Sequence, residues 1–385
     1  MSELSYLEKL LDGVKVEWLP LGNVTKYEQP TKYLVKAKDY HDTFSIPVLT
    51  AGKTFILGYT DETHGIYEAS KTPVIIFDDF TTANKWVDFD FKAKSSAMKM
   101  ITSSDDIKFS LKYVYYWLNT LPNELVDGDH KRQWISNYAQ KKVPVPCPDN
   151  PEKSLAIQSE IVRILDKFTA LTAELTAELT AELTMRKKQY NYYRDQLLSF
   201  KEGEVEWKTL GEVATFRRGT AITQKQTTPG DIPVVANGPT PTYFHSESNR
   251  QDETIVIARS GAYAGYVSFW NQPIFLTDAF SVHPNLKIVK PKFLYYVLQN
   301  KQEHIHAMKK GAGVPHVRVK EFESYDVPIP PLAEQVRIVT ILDKFDTLTN
   351  SITEGLPREI ELRQKQYEYY RDMLFSFPKP DVVEA

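Results

Sequence analysis

Ala51-Gly52-Lys53-Thr54 ends the way a phosphate-binding loop ends. Such a loop, GxxxxGK[ST], needs an upstream glycine so that backbone N–H groups can wrap a phosphate. That glycine would stand at 47, where the chain has Pro47, so nucleotide binding is not expected there. No Asn/Asp-Pro-Pro-Tyr/Phe run occurs, and no His, Cys, Asp and Glu set has metal-ligand spacing. His304 and His306 read as surface or core histidines. No metal, no cofactor and no catalysis are therefore expected of this chain. What remains is the hydrogen-bonding chemistry of polar loops. Gly128 to Trp134 gathers His130, Lys131, Arg132 and Gln133 beside an aromatic ring. Its approximate counterpart, 309–318, carries Lys309, Lys310, His316 and Arg318 around two glycines. Arg259-Ser260-Gly261 follows an apolar strand. Arginine can pair bidentately with guanine, and Asn or Gln with adenine. Lysines such as Lys32, Lys36, Lys38 and Lys53 suit phosphates, which position a duplex without specifying it. Phe77-Asp78-Asp79-Phe80 takes the place of Arg259 earlier in the chain; its carboxylates either accept from a cytosine amino group or cap a turn. Each loop offers donors that an anionic or nucleic-acid partner could use, with solvated surface charge as the alternative for any single residue.

The rest of the chain must position these loops. Its 385 residues suffice for two or three domains, and 42% apolar with 25% charged residues is ordinary for a globular protein. The net charge of −3 runs against nucleic-acid binding unless the basic residues cluster or partner subunits supply positive field. One cysteine, Cys147, excludes an internal disulfide and points to a reducing compartment. No run of eighteen apolar residues occurs, and the N-terminal MSELSYLEKLLDG lacks a signal-peptide core. A cytoplasmic protein is expected.

An internal repeat organises the sequence. Ile161-Val162 and Ile164 to Phe168 recur as Ile338-Val339 and Ile341 to Phe345, and KQYNYYRDQLLSF (188–200) recurs as KQYEYYRDMLFSF (365–377). Both pairs are 177 residues apart, so no gap separates them. Val16-Glu17-Trp18 with Leu21-Gly22 recurs as Val205-Glu206-Trp207 with Leu210-Gly211. The spacing predicts two copies of one unit, each a globular part followed by a long helix. Boundaries are expected at 1–14 for an N-terminal segment that completes the repeat, 15–150 and 204–331 for the globular parts, 151–203 and 332–377 for the helices, and 378–385 for a tail. VIIF (74–77) and TIVIA (254–258) read as buried strands; LKYVYYWL (111–118) and PKFLYYVL (291–298) read as short helices. VPVPCP (143–148) and VPIPP (327–331) read as edge strands, because proline cannot donate to a ladder.

In the long helices, Ile157, Ile161, Ile164, Phe168, Leu171 and Leu175 step by four and three, a coiled-coil seam, as do Ile338, Ile341, Phe345 and Leu348. LTAELTAELTAELT (171–184) holds three Thr-Ala-Glu-Leu copies, with Thr172, Leu175, Leu179 and Leu183 as its spacer positions. Each copy adds about 6 Å and a little over one turn. Gly355 and Pro357 should interrupt the second helix. Tyr192, Arg194, Tyr369 and Arg371 lie off the seam and are the candidate partner-binding residues.

This combination closely resembles the specificity subunits of type I restriction–modification systems, type IC in particular, over nearly the full length. The duplicated ILDKF…KQYxYYRDxLxSF helix and the TAEL repeat carry the resemblance. It implies an α+β fold: two similar globular target-recognition domains separated by two long antiparallel coiled-coil helices, with a pseudo-twofold internal repeat. It implies a non-catalytic bacterial subunit that reads a bipartite site in double-stranded DNA, one half-site per domain. Two methyltransferase subunits, carrying S-adenosylmethionine, and restriction subunits, using ATP and Mg, would be its partners. It implies DNA contact for the glycine-containing loops at 128–134 and 309–318 and for Arg259, although the first loop departs from the family's small-residue pattern. A stand-alone two-headed DNA-binding regulator and a structural coiled-coil adaptor are the rival readings.

Overall fold

A computed structural model describes residues 6–36, 40–52, 54–122, 132–201, 203–309 and 316–378. The chain divides into two compact units: 1–177 with 361–385, and 178–360.

In the first unit, Val74–Asp78, apolar up to its last residue, is a fully buried strand inside a four-stranded antiparallel sheet. The sheet order is Thr25–Glu28, Met98–Ser103, Val74–Asp78, Asn84–Val87. A three-stranded sheet of Ile56–Thr60, Ile46–Leu49 and Lys92–Ala93 stands beside it, the last pair parallel. The proline-marked strand Lys142–Pro146 pairs only with Val16–Pro20, where missing N–H groups cost little. The helix Leu111–Leu118 starts at Ser110, whose hydroxyl accepts from Tyr113 N, and buries Tyr113, Val114, Tyr116 and Trp117.

The second unit repeats this plan strand for strand. Its four-stranded order is Ala214–Arg218, Ala279–Pro284, Thr254–Ala258, Val267–Trp270. Its three-stranded sheet is Tyr243–His245, Ile232–Val235, Phe275–Leu276, and Glu206–Thr209 pairs with Asp326–Ile329. The helix Pro291–Asn300 takes the place of Leu111–Leu118.

Pro151–Leu197 is one unbroken helix of 47 residues, about 70 Å long. Thr172, Leu175, Leu179 and Leu183 lie within it, half-buried. The second helix is not single. It runs Leu332–Asn350, breaks over 351–354, and restarts as Gly355–Leu374. Ser351 Oγ takes up the amides of Thr353 and Glu354 at 3.3 and 3.1 Å. Gly355 has φ +77°, and a Cβ there would stand 2.4 Å from Thr347 O, so only glycine permits this restart. Pro357 falls in the new helix's first turn, where proline is tolerated.

The seam also differs from expectation. The fully buried positions are Ile161, Leu165, Ile338 and Leu342, not Ile164 and Ile341, while Leu171 is half exposed. Each helix has two apolar faces. One, with spacing of four, packs on the globular part, and the other packs on the second helix. In the first unit Phe168 stacks on Tyr370 at 5.2 Å; in the second Tyr193 stacks on Phe345 at 5.7 Å. In the first unit Leu374, Phe375 and Phe377 join the core with Leu7 and Leu11; in the second, Leu197, Leu198 and Phe200 pack on the core.

Candidate nucleic-acid interface

The end of the second unit's four-stranded sheet collects charge from three strands. Ala214–Arg218 delivers Arg218, Thr254–Ala258 leads into Arg259, and Asp278 precedes Ala279–Pro284. Gly219 makes the approach possible: a Cβ there would stand 1.8 Å from Thr277 O. Arg259 Nη2 pairs with Asp278 Oδ1 at 2.8 Å, both side chains partly exposed. Arg259 Nε is screened from solvent and has no hydrogen-bond acceptor among the described residues. Asn237 builds the base of the site. Its Oδ1 accepts from Arg259 N (2.7 Å) and Ser260 N (3.2 Å), and its Nδ2 donates to Ser260 Oγ and Asp278 Oδ2. A bridge between Ser260 and His316, with Val317 N donating to Arg259 O at 2.9 Å, brings in the far end of the second loop. Arg218, Arg259, His316, Arg318 and Lys320 thus line one open cleft of about 550 Å³. Lys309 reaches the neighbouring turn, donating to Ala262 O at 3.0 Å. This local cationic cluster is what a chain of net charge −3 needs to meet an anion.

The first unit builds the same place differently. Gln133 N donates to Asp79 O at 2.8 Å, the counterpart of Val317 N on Arg259 O. Asp79 is the strand-end residue here, and it is buried. Its Oδ1 accepts from Trp134 N at 2.9 Å, and its Oδ2 faces Lys99 Nζ at 3.3 Å, with both side chains out of solvent. Asp78 caps the turn, accepting from Phe80 N and Thr81 N. Of the two readings open for these carboxylates, the structure shows turn capping and internal pairing. Arg132 is exposed, but Gln133 is buried. Lys32 and Lys36 are exposed on a cleft of about 550 Å³ that also holds Asp61, Glu62 and the buried Lys92. Glu62 pairs with Lys92 at 3.0 Å, so this cleft is of mixed charge. Lys38, Lys53, His130, Lys131 and Lys310 lie outside the described residues.

On the helices, Tyr192 and Tyr369 are 61% and 65% exposed. Arg194 and Arg371 pair with Asp195 and Asp372 at 3.0 and 2.7 Å. Tyr190 is buried, and that burial pushes its phenol up to about 12.

Sequence reasoning missed Arg218, Lys320, Asn237 and Asp278. Only the FRRG run at 216–219 offered a signal. It also missed Gln158 and Gln335, and the role of Asp166 and Asp343, although each pair is 177 residues apart inside the repeat already recognised. Gln158 Oε1 accepts from Ser110 N at 2.8 Å, and Gln335 Oε1 accepts from Lys290 N at 2.8 Å. Asp166 accepts from Tyr116 OH, and Asp343 from Tyr296 OH, each at 2.5 Å. Burial and the carboxylate acceptor both hold these phenols above their ordinary range, so they stay protonated donors. No helix among the described residues is long and apolar enough to cross a membrane.

The structure is a duplicated α+β unit, each copy docked on a long helix and differing from the other in the charge at one sheet end. Comparison with known proteins narrows the class. The family described as the type I restriction modification DNA specificity domain matches residues 14–185 and 202–362. The specificity subunit of the type I restriction enzymes EcoR124I and EcoR124II from Escherichia coli is 63% identical over the whole of both chains. The EcoprrI specificity subunit, also from Escherichia coli, is 37% identical over 92% of this chain and 93% of that one. Among solved structures, the S subunit of a type I system from M. genitalium matches at TM-score 0.58 with 18% identity, covering 96% of this chain and 98% of that one. A chain from a study of complex assembly and conformational transition of the type I system matches at 0.59 with 16% identity, over 94% and 97%. The chain belongs to the DNA specificity subunits of type I restriction–modification systems.

Proposed function

We propose that each unit of this chain reads one half of a two-part DNA sequence, and that the chain itself performs no chemistry. One observation carries the reading: the same backbone scaffold occurs twice, and the copies differ in charge where the sheet-end loops meet. Arg259, Arg218, Arg318 and Lys320 supply donors for phosphates and guanine edges in the second site. In the first unit the exposed Arg132, from the candidate segment 128–134, would supply the corresponding donor. Methyl transfer and cleavage then belong to partner subunits, two methyltransferases supplying S-adenosylmethionine and restriction subunits supplying ATP and Mg. The exposed Tyr192 and Tyr369 support a partner face on the helices. The bacterial cytoplasm, a reducing compartment, is the expected setting. The boundaries 15–150 and 204–331 are proposed as the two reading modules.

The test is an exchange. Replacing 204–331 by the same part of another family member, and mapping methylated sites with the cognate methyltransferase present, should change one half-site only. A change at both would refute independent reading. Tight site-specific binding by the chain alone, needing no methyltransferase, would favour the regulator reading. No DNA binding in any complex would favour a structural adaptor.

A further inference from the structure

Apolar packing between a globular part and a helix is non-directional and tolerates rocking. Each unit adds directional bonds at both ends of that contact. In the second unit, Gln335 is wholly buried. Its Oε1 takes the N–H of Lys290, the N-cap of Pro291–Asn300, and its Nε2 donates to Ile288 O and Pro330 O at 3.0 and 2.8 Å. Two turns further along, Asp343 accepts from the buried Tyr296 hydroxyl and pairs with Lys292 at 3.0 Å. The first unit has the same four groups. Gln158 takes Ser110 N and donates to Lys108 O, and Asp166 takes Tyr116 OH and pairs with Lys112 at 2.9 Å. Lys112 and Lys292 each also lie over an aromatic ring, Trp86 and Phe269. The same main pairings in two globular parts of such different sequence are not what core packing alone requires.

We propose that Gln158 with Asp166, and Gln335 with Asp343, are positioning residues that fix the angle of each reading domain on its helix and so set how strictly the spacer between the half-sites is measured. The inference rests on the two-part reading above. The two anchors of one clamp are eight residues apart, about 12 Å along the helix. Slack of about 1 Å at one anchor becomes a rotation of about 5°. Across a small domain, about 30 Å, that moves the reading surface by roughly 2–3 Å. One base-pair step is about 3.4 Å. Releasing an anchor therefore blurs the spacer by about one base pair and leaves base contacts alone.

The test uses the complete chain in complex with its methyltransferase subunits, and DNA in which both half-sites are fixed and the spacer length varies. Tyr296→Phe removes one hydroxyl and keeps the ring in the core; Asp343→Asn weakens both bonds to the carboxylate. Expected is a fall of about tenfold in discrimination between the cognate spacer and those one base pair longer or shorter, with the same half-sites methylated. Tyr116→Phe should do the same from the other clamp. Unchanged spacer discrimination in variants that still methylate the cognate site would overturn the proposal, as would an altered half-site. If the unaltered complex methylates no two-part site, the functional reading fails instead.

Discussion

The two strand-end sites share a backbone and oppose each other in charge and exposure. In both, the residue after an inner strand of the sheet accepts a backbone hydrogen bond from a residue more than fifty positions on: Asp79 from Gln133, Arg259 from Val317. In the first unit that residue is a carboxylate sealed against Lys99; in the second it is a half-exposed arginine against Asp278. The difference separates two jobs that one scaffold position can do. A buried pair holds the backbone of Gln133 and Trp134 in place, whereas a half-exposed, oriented arginine keeps donors turned towards solvent. The strand ends thus differ between the copies, while the helix clamps keep the same main pairings.

The largest effect that would break this contrast is on stability. Lys99→Met strands Asp79 as an uncompensated buried charge and should cost about 3–5 kcal/mol. Asp278→Asn, at a partly exposed pair, should cost about 0–1 kcal/mol. Urea denaturation of both variants measures it, and equal losses would erase the distinction between a structural and a reading site.

The next effect is on recognition. Arg259→Ala should weaken methylation at the cognate site by about 1–3 kcal/mol, roughly 5- to 150-fold, and relax one position of one half-site. The other half-site should be unaffected. A uniform loss across all sequences would make Arg259 a phosphate contact.

A smaller effect on folding is expected from deleting Thr180-Ala181-Glu182-Leu183, which touches neither site. Leu179 then precedes Thr184 as Leu183 did, so the apolar stripe continues. Methylation mapping should show both half-sites unchanged and the spacer one base pair shorter, as the type IC resemblance also implies. A changed half-site would show that base reading is not confined to the strand ends.

The smallest effect is on pH dependence. Burial, with the charges of Arg217 and Arg250, holds His283 at about 4 against an ordinary 6.5. Between those values the unfolded chain binds a proton that the folded one does not, so the second unit loses stability as pH falls through that window. Thr102 stands at this place in the first unit: it faces Lys26 across the sheet as His283 faces Thr215. His283→Gln should flatten the acid-side fall in melting temperature, read by thermal denaturation from pH 7 to 4.

Much of the architecture was legible because it is written twice, without a gap in the helices, and because apolar runs such as the VIIF of 74–77 have few alternatives to a buried strand. The faces of the helices were not legible. A period of 3.5 reports one partner, and these helices pack on two, so Leu165 and Leu342 are buried where Ile164 and Ile341 were expected. The charged cleft was legible in Arg259, His316 and Arg318, which share it. Its support was not, because Asn237 and Asp278 stand 41 residues apart and meet only through the sheet. The clamps were visible only as polar residues repeated inside an apolar stretch, a signal that spacing alone cannot tell from a solvated face.

The interruption at 351–354 gives the two copies different mechanics. An unjointed rod transmits any change in its length from end to end, while a jointed one absorbs it at the joint. On the proposed two-part reading, residues gained or lost near Gly355 would be taken up at the break, and those gained or lost in 171–184 would change the spacer. That stretch would then act as a dial for target choice, turned four residues at a time.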